Sequence, residues 1–314
     1  MSWILTLVGR LLIGAVQQLP IEWVARIGRA GGNIAWFVDR RHRTVALQNL
    51  ELALGAERSP QEREAIAHEN FRRLGENYLC AIKTLGMPKE QLAQRFEVIK
   101  YLETLPTDGR NLIIAAGHFG NFELYARVRE HAPTWPVITT YRALRQSSLN
   151  ALFLQLRERS GVRYFERRTE ARQLRKVLVA GHAVLGILSD QHAGDKGLWL
   201  PFFGKECSCS AAPALFALRF NAPIRGCAVY RVGLARWRIE FGQPIAIQNA
   251  DGSPRSSEDI TQDINAFYED AIRRDPANWF WVHRRWKPPS PYQLRRLQSV
   301  SGNANSEESP AVDD

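Results

Sequence analysis

The sequence predicts an α/β fold in which a central mixed sheet is covered by helices. From about residue 60 onward, short apolar runs bounded by turn residues alternate with segments of helical periodicity. Hydrophobic residues make up 45% of the chain and charged residues 24%, which is an ordinary globular composition and excludes a collagenous or polytopic membrane protein. The 314 residues suffice for one large or two modest domains with a substantial core.

The candidate strands are short and apolar, and candidate helices lie between them. Ser59-Pro60-Gln61-Glu62 forms a capping box with proline at the first helical position, so a helix is expected to begin there. The strands are predicted over residues 112–116, 137–141, 162–165, 183–188, 224–230 and 238–241. Further helices are predicted over residues 122–131, 148–160, 170–180, 211–220 and 258–274.

The first forty residues are predicted to form helices that associate with a membrane. Residues 3–19 carry one charge, Arg10, and as a helix would extend about 25 Å, slightly less than a hydrocarbon core of ~30 Å. After Pro20, residues 21–38 place apolar side chains at roughly helical spacing among Arg26 and Arg29, as expected of a helix lying in the membrane interface. A buried hairpin of core helices is the alternative.

The charge balance favours an acidic partner. The formal net charge is +10, which suits nucleic acid, an anionic membrane surface or an acidic protein, and nine tryptophans favour the membrane. Four cysteines in a chain of this length are no disulfide framework, and without a CxxC pair they argue against a zinc ribbon or a thioredoxin-type site. No metal and no cofactor are predicted. The predicted domains are membrane-anchoring helices over 1–40, an α/β domain over 41–290 and a disordered tail over 291–314.

The candidate chemistry lies in the loop after the first long strand. The strand at 112–116 runs into Gly117-His118-Phe119-Gly120, and a helix begins near Asn121. On one regular helix His118 and Glu123 would point about 140° apart, so they can meet only if His118 stands on the loop before it. A carboxylate beside an imidazole supports a general base, and the carboxyl end of a strand is where open α/β sheets bind ligands. The alternative is a structural histidine beside a helix-capping glutamate.

No protein nucleophile accompanies this histidine. The sequence contains no GxSxG elbow, no HExxH motif and no Walker P-loop. A base without a nucleophile indicates that a substrate hydroxyl attacks directly, as in acyl transfer through a tetrahedral intermediate. We expect backbone amides of the glycine-containing turn to stabilise the oxyanion.

Three further sets of motifs accompany this H-x4-E loop in a fixed order. Near the beginning stand Gln18-Leu19-Pro20, Arg40-Arg41 and Asn49-Leu50-Glu51-Leu52; in the middle Ser189-Asp190-Gln191-His192 and Leu200-Pro201-Phe202-Phe203-Gly204; and near the end Asn278-Trp279-Phe280-Trp281-Val282-His283-Arg284-Arg285-Trp286-Lys287. Up to about Pro288 the chain therefore resembles the bacterial lipid A late (secondary) acyltransferases of lauroyl and myristoyl type. That family lies within the H-x4-D/E glycerolipid and lysophospholipid acyltransferase superfamily.

The resemblance implies particular roles. His118 and Glu123 match the catalytic pair of the family, and Arg157 and Asp190 match residues required for activity. Arg157 alone could be a surface cation, but the resemblance implies a ligand for a donor or acceptor phosphate or for the carbonyl, where it would help to stabilise the oxyanion. Asp190 could orient Arg157. The implied substrate-binding residues are Gly120, Asn121, Arg142, Phe202, Phe203, Gly204, Arg284 and Arg285. Cys207 and Cys209 stand where relatives commonly carry threonine or serine, and we interpret them as packing residues.

The resemblance also implies partners and a location. The donor would be acyl carrier protein carrying a thioester, the acceptor a hydroxyl of an anionic lipid A precursor, and the location the bacterial inner membrane with the catalytic domain on the cytoplasmic side. The alternative within this class is another acceptor, such as a lysophospholipid or a phosphoinositide mannoside. A nucleic-acid-binding protein would need exposed aromatic residues on a strand, which the sequence lacks, so no nucleic acid is expected. A catalytically inactive membrane scaffold is the third possibility.

Overall fold

The computed structural model of the chain describes residues 2–99, 105–131, 134–143 and 146–295. The α-helices in these ranges are α1 (Ser2–Gln18), α2 (Ile21–Val38), α3 (Arg40–Leu54), α4 (Pro60–Leu85), α5 (Lys89–Ala93), α6 (Ser147–Glu158), α7 (Ala171–Ala180), α8 (Ala212–Arg219) and α9 (Ser257–Arg274). The strands are β1 (Phe96–Ile99), β2 (Leu112–Ala116), β3 (Val137–Tyr141), β4 (Arg163–Glu166), β5 (Val184–Leu188), β6 (Leu198–Phe202), β7 (Lys205–Cys209), β8 (Ile224–Gly233) and β9 (Arg236–Ile245).

The predicted mixed sheet is confirmed. Its strands run in the order β1-β9-β8-β2-β5-β3-β4, and within this seven-stranded sheet, as far as the structure describes it, only β8 and β9 pair in antiparallel fashion. Alternate residues of β2 enter two separate hydrophobic clusters, with Ile113 in one and Ile114 in the other, so helices cover both faces of the sheet. β6 and β7 form a separate antiparallel hairpin.

The register of the central strands decides which loops meet. β2 and β5 are parallel neighbours, and Ala116 at the end of β2 pairs with Leu188 at the end of β5. The loops that follow these two strands therefore begin side by side at the carboxyl edge of the sheet. One carries His118 and the other carries Asp190.

The structure differs from the sequence prediction in a few elements. β2 and β3 have the predicted bounds, whereas β1, β6 and β7 were not predicted, because β1 has four residues, β6 contains Pro201 and β7 is polar. The predicted helix over 122–131 is a 3₁₀ helix (Phe122–His131). Of the predicted tail, residues 291–295 form a helical turn and residues 296–314 lie outside the described ranges.

The second N-terminal helix packs closely along α4 through glycines. Gly28 and Gly32 of α2 face Gly75 and Phe71 of α4, and a Cβ atom on Gly28 would overlap the Gly75 carbonyl oxygen. Small residues at such a crossing let two helix backbones approach each other directly.

Charged groups reinforce this contact. Arg29 of α2 donates to Glu69 and Glu76 of α4, and the fully buried Glu76 also accepts from Arg231 and the Ala235 N–H of the sheet. The α2 helix is thus joined to the sheet through a satisfied buried carboxylate.

The two N-terminal helices expose apolar side chains. The large hydrophobic residues that α1 and α2 leave exposed are Leu7, Val8, Leu11, Leu12, Trp23, Ile27, Ile34, Phe37 and Val38. We call these residues the N-terminal apolar face. Among the described residues, no helix combines the length and the apolar character that crossing a bilayer requires.

The glycine contact generates a prediction about stability. Gly28→Ala should lower the free energy of unfolding by about 1–3 kcal/mol, because the added methyl group meets the α4 backbone. Gly31→Ala is the matched control, since nothing lies within 4 Å of a Cβ there and alanine should stabilise the same helix by about 0.5–1 kcal/mol. Denaturant unfolding of both variants measures the difference, and equal effects would contradict a close crossing.

Candidate active site

His118 is held by Asp190. Nδ1 of His118 lies 2.7 Å from Asp190 Oδ1, and Asp190 Oδ2 accepts the backbone N–H of His118 at 2.8 Å and Nε1–H of Trp279 at 2.7 Å. Burial alone would raise the pKa of Asp190, but the His118 ring and these donors hold that pKa below its usual value. A carboxylate fixed in this way orients the imidazole and leaves Nε2 for a substrate.

Glu123 is paired with Arg157. Nε of Arg157 donates to Glu123 Oε2 at 3.0 Å, and Nη2 donates to Oε1 at 2.5 Å. Burial would lower the pKa of Arg157, but its contacts with Glu123 raise that pKa, so the guanidinium remains charged. The two groups form a bidentate ion pair between the first turn of the 3₁₀ helix and α6.

This pairing corrects two predictions. The expectation that Glu123 holds His118 is wrong in this structure, because Glu123 faces Arg157 whereas the loop after β5 brings Asp190 to the imidazole. The suggestion that Asp190 orients Arg157 is wrong for the same reason. All four predicted catalytic residues nevertheless lie in one region, since His118, Glu123 and Arg157 line the same cavities and Asp190 contacts His118.

Two cavities meet at His118. The first has a volume of about 230 Å³ and a mainly apolar lining that includes Leu74, Ile82 and Leu85 of α4. The second, of about 500 Å³, extends along the carboxyl ends of β3, β4 and β5. Both are lined by His118, Phe122, Glu123 and Arg157.

Several predicted substrate-binding residues line these cavities. Gly120 and Asn121 border the first cavity, and Arg142 borders the second together with Arg167. Gly120 has a φ of +49°, and a Cβ there would lie 2.8 Å from the Val229 carbonyl oxygen, so glycine is required.

The backbone amides of the turn are already used. The His118 N–H donates to Asp190, the Phe119 N–H to the Gly117 carbonyl and the Gly120 N–H to the Asn278 carbonyl. The expectation that these amides bind an oxyanion is therefore wrong for these three residues. Nη1 of Arg157 is not engaged by Glu123 and remains a donor at the junction of the cavities.

The other predicted substrate-binding residues lie elsewhere. Phe202 is fully buried, and the Arg285 guanidinium, itself 1% exposed, lies 5.0 Å from the Phe202 ring centroid. Gly204 forms the turn of the β6–β7 hairpin with a φ of +67°, next to the buried Phe203. Arg284 is exposed, and the described cavity linings include none of these residues. Predicting Phe202 and Arg285 as ligands is wrong, because both are sealed into the core.

Sequence reasoning missed several residues of the first cavity. Leu74, Tyr78, Ile82 and Leu85 recur at helical spacing in α4, which indicates a helix but not a substrate site, and all four line this cavity. Phe280, which belongs to the motif at residues 278–287, lines this cavity as well, and its ring centroid lies 5.9 Å from that of His118. Within the described ranges, no group of three or more His, Cys, Asp or Glu is arranged to hold a metal ion.

Cys207 and Cys209 lie beside Arg285 of the motif at residues 278–287. Their sulfur atoms lie 3.9 Å apart, and Cys209 Sγ also accepts from Arg285 Nη2 at 3.0 Å and from Asn265 Nδ2 at 3.3 Å. The Cys207 thiol and, secondarily, the Arg285 charge lower the pKa of Cys209 against the effect of burial. The sulfur thus supplies negative charge beside a buried guanidinium.

This arrangement predicts a pH dependence of stability. Because the folded pKa of Cys209 lies below its unfolded value of about 8.5, the thiolate stabilises the fold fully above that value, and the contribution disappears as pH falls through the folded pKa. The contribution of Cys209 to the free energy of unfolding should therefore decrease as the pH is lowered from about 8.5, and the difference between the wild type and Cys209→Ala at each pH measures this contribution. Cys209→Ala should flatten this dependence, whereas Cys80→Ala should not, since burial raises the pKa of the Cys80 thiol. Parallel curves for both variants would contradict the interpretation.

Comparison with known proteins identifies the family of this chain. The family described as bacterial lipid A biosynthesis acyltransferase matches residues 1–288. A lipid A biosynthesis palmitoleoyltransferase from Escherichia coli (strain K12) is 28% identical over 278 residues, which is 86% of this chain and 87% of the relative. A lipid A biosynthesis lauroyltransferase from the same organism is 24% identical over 286 residues, covering 90% of this chain and 91% of the relative. The resemblance that the motifs indicated is confirmed, and the chain belongs to the bacterial lipid A biosynthesis acyltransferase family.

Proposed function

We propose that this acyltransferase moves a fatty acyl chain from acyl carrier protein to a hydroxyl of a lipid A precursor at a membrane surface. The observation that carries the proposal is His118 itself. Its Nδ1 is fixed by a buried carboxylate, and its ring stands where an apolar cavity meets a cavity bordered by arginines. Such a base, without a protein nucleophile beside it, suits the activation of a substrate alcohol.

His118 is the general base in this mechanism. Nε2 removes the proton from the acceptor hydroxyl while Asp190 stabilises the imidazolium that forms. The oxygen attacks the thioester carbonyl carbon, a C–O bond forms, and collapse of the tetrahedral intermediate breaks the C–S bond. The proton passes from Nε2 to the departing thiolate, so the products are an ester and a thiol, with no acyl-enzyme.

Arg157 is the group that stabilises the oxyanion, and Glu123 positions it. The bidentate pair fixes the plane of the guanidinium, while Nη1 is left to face negative charge on the thioester oxygen. A catalytic contribution of Glu123 then follows without contact between that carboxylate and His118.

One cavity suits an apolar acyl chain, and the other suits a polar acceptor. The apolar cavity along α4 would hold an acyl chain, and the cavity at β3–β5 would hold the polar part of the acceptor. Arg142 and Arg167 border the latter and can pair with phosphate groups of an anionic glycolipid.

The apolar and basic character of the protein surface supports membrane association and acyl carrier protein as the donor. The N-terminal apolar face would enter the interface of the inner membrane on its cytoplasmic side, with residues 1–40 as the anchor and residues 41–290 as the catalytic domain. Arg26, Arg40 and Arg41 near that face would contact lipid phosphates. A chain of net charge +10 also attracts an acidic acyl carrier protein.

A transfer assay tests the chemistry. The protein receives acyl carrier proteins of graded chain length, with a tetra-acylated lipid A precursor and a lysophospholipid as competing acceptors, and the mass of the product identifies donor and acceptor. His118→Asn and Asp190→Asn should each lower kcat/KM by about 10²–10⁴-fold, because the base is lost or misoriented. His182→Asn is the matched control and should retain activity, since His182 precedes β5 at the opposite end of the sheet.

The outcomes separate the alternatives. Product formed only on the lysophospholipid would replace the proposed acceptor, and no product with any acceptor would indicate an inactive scaffold. An ordinary rate for His118→Asn would exclude this imidazole as the base.

A second experiment tests membrane association. Ile34→Glu and Phe37→Glu should each reduce sedimentation with anionic phospholipid vesicles several-fold, because a charge in an apolar interface is costly. Val179→Glu is the control, as Val179 is an equally exposed apolar residue on α7. Undiminished binding of both helix variants would contradict this role for the N-terminal apolar face.

A further inference from the structure

The segment 278–283 contacts both loops that carry the His118–Asp190 pair. The Asn278 carbonyl accepts the Gly120 N–H at 2.9 Å, and Phe119 and Trp279 form an isolated antiparallel bridge. On the other side, Trp279 donates to Asp190 Oδ2 at 2.7 Å. We call residues 278–283 the closing segment.

His283 extends this contact along the loop after Asp190. Its Nε2 accepts the backbone N–H of His192 at 3.0 Å. Burial, with Arg285 nearby, lowers the pKa of His283 to about 4, so at neutral pH the ring is uncharged and its nitrogen can accept. The loop of Asp190 is thus fixed at two points, at the carboxylate and two residues beyond it.

Two buried asparagines hold the closing segment from behind. Asn70 of α4 donates to the carbonyls of Ala277 and Trp279 at 2.9 and 2.6 Å. Asn49 of α3 donates to the carbonyls of Trp281 and His283 at 2.7 and 2.6 Å. These amides satisfy main-chain carbonyls of a segment that lies outside the sheet, which fixes its position.

The Trp279 contact also affects the charge on Asp190. A carboxylate that accepts three hydrogen bonds is a weaker base than one that accepts two, because each donor stabilises the anion. Without Trp279 Nε1–H, more negative charge would be available to the His118 ring, and protonated His118 would be stabilised. Other titratable or charged groups face this pair from the elements packed around it: His283 of the closing segment, Glu123 and Tyr125 of the 3₁₀ helix, Arg157 of α6, Tyr78 of α4 and Tyr268 of α9.

We propose that the closing segment is a clamp for the His118–Asp190 pair, with Trp279 and His283 as positioning residues that set the orientation and basicity of His118. The proposal rests on the proposed function, since positioning matters for a general base. The motif at 278–287 would thus position the His118–Asp190 pair, and the buried Asn49 of the motif at 49–52 would hold the closing segment in place.

The first test compares two buried tryptophans of the closing segment. Trp279→Phe removes the donor to Asp190, whereas Trp281→Phe removes a donor to the Pro276 carbonyl and serves as the matched control. The acidic limb of the pH profile of kcat/KM should move to higher pH for Trp279→Phe only, because protonated His118 is inactive as a base. Coincident profiles for the two variants would overturn the proposal.

The second test uses His283 and covers the case in which Trp279→Phe does not fold. His283→Gln keeps an acceptor for the His192 N–H, and His283→Leu has none. We expect kcat to fall about tenfold for His283→Leu, with KM nearly unchanged, and to be largely restored in His283→Gln. Equal losses in both variants would overturn the role of His283.

A readout without substrate separates this proposal from the proposed function. In protein labelled with ¹⁵N-histidine, the ring signals of His118, assigned by their absence in His118→Asn, are followed through a pH titration. The midpoint should move to higher pH in Trp279→Phe and stay unchanged in Trp281→Phe. If this shift occurs while no acyl transfer is found with any acceptor, the clamp stands and the proposed function fails. If transfer occurs without the shift, the clamp fails alone.

Discussion

The hydrogen bond between His118 Nδ1 and Asp190 Oδ1 is the contact on which the arrangement of the site depends. It exists because β2 and β5 are parallel neighbours that end in register, so that the loops after them start side by side. A buried carboxylate without donors would be protonated or expelled from the interior. The main-chain N–H of His118 and the indole of Trp279 therefore belong to the same unit as the imidazole.

The second charged pair of the site is independent of the first. Glu123 and Arg157 satisfy each other across the gap between the 3₁₀ helix and α6. Because each carboxylate has its own partner, the site places an oriented imidazole and a fixed guanidinium at one junction of two cavities. The proposed acyl transfer to an alcohol uses both groups, since one must take a proton while the other faces the oxyanion.

The second N-terminal helix is packed against the helix that lines the site. α2 crosses α4 through glycines, and Arg29 links it to Glu76, which in turn accepts from the sheet. The other side of α4 lines the apolar cavity beside His118. A membrane bound to the N-terminal apolar face, as proposed, would therefore stand at a defined position relative to His118, which would allow a lipid acceptor to reach this residue without leaving the membrane.

Local sequence patterns predicted the loop of His118 and the bounds of β2 and β3, because a short apolar run next to glycine, as after β2, or next to proline, as before β3, is a strong local signal. They did not predict the partner of His118, since a local pattern contains no information about which strands are neighbours. Phe202 and Arg285 were assigned to substrate because their motifs resemble functional ones, but a buried guanidinium over an aromatic ring stabilises the core instead. The link between Asn49 and the closing segment spans more than two hundred residues and follows only from the tertiary fold.

The most direct test of the account is a structure of the protein with a non-hydrolysable acyl-carrier thioester analogue. We predict that the acyl chain lies in the cavity along α4 and that the carbonyl carbon stands where a hydroxyl between it and His118 Nε2 would be about 3–3.5 Å from that carbon. The Asp190 bond to Nδ1 should remain intact, and Arg157 should face the carbonyl oxygen. A chain bound away from α4, or a carbonyl group remote from His118, would contradict the account.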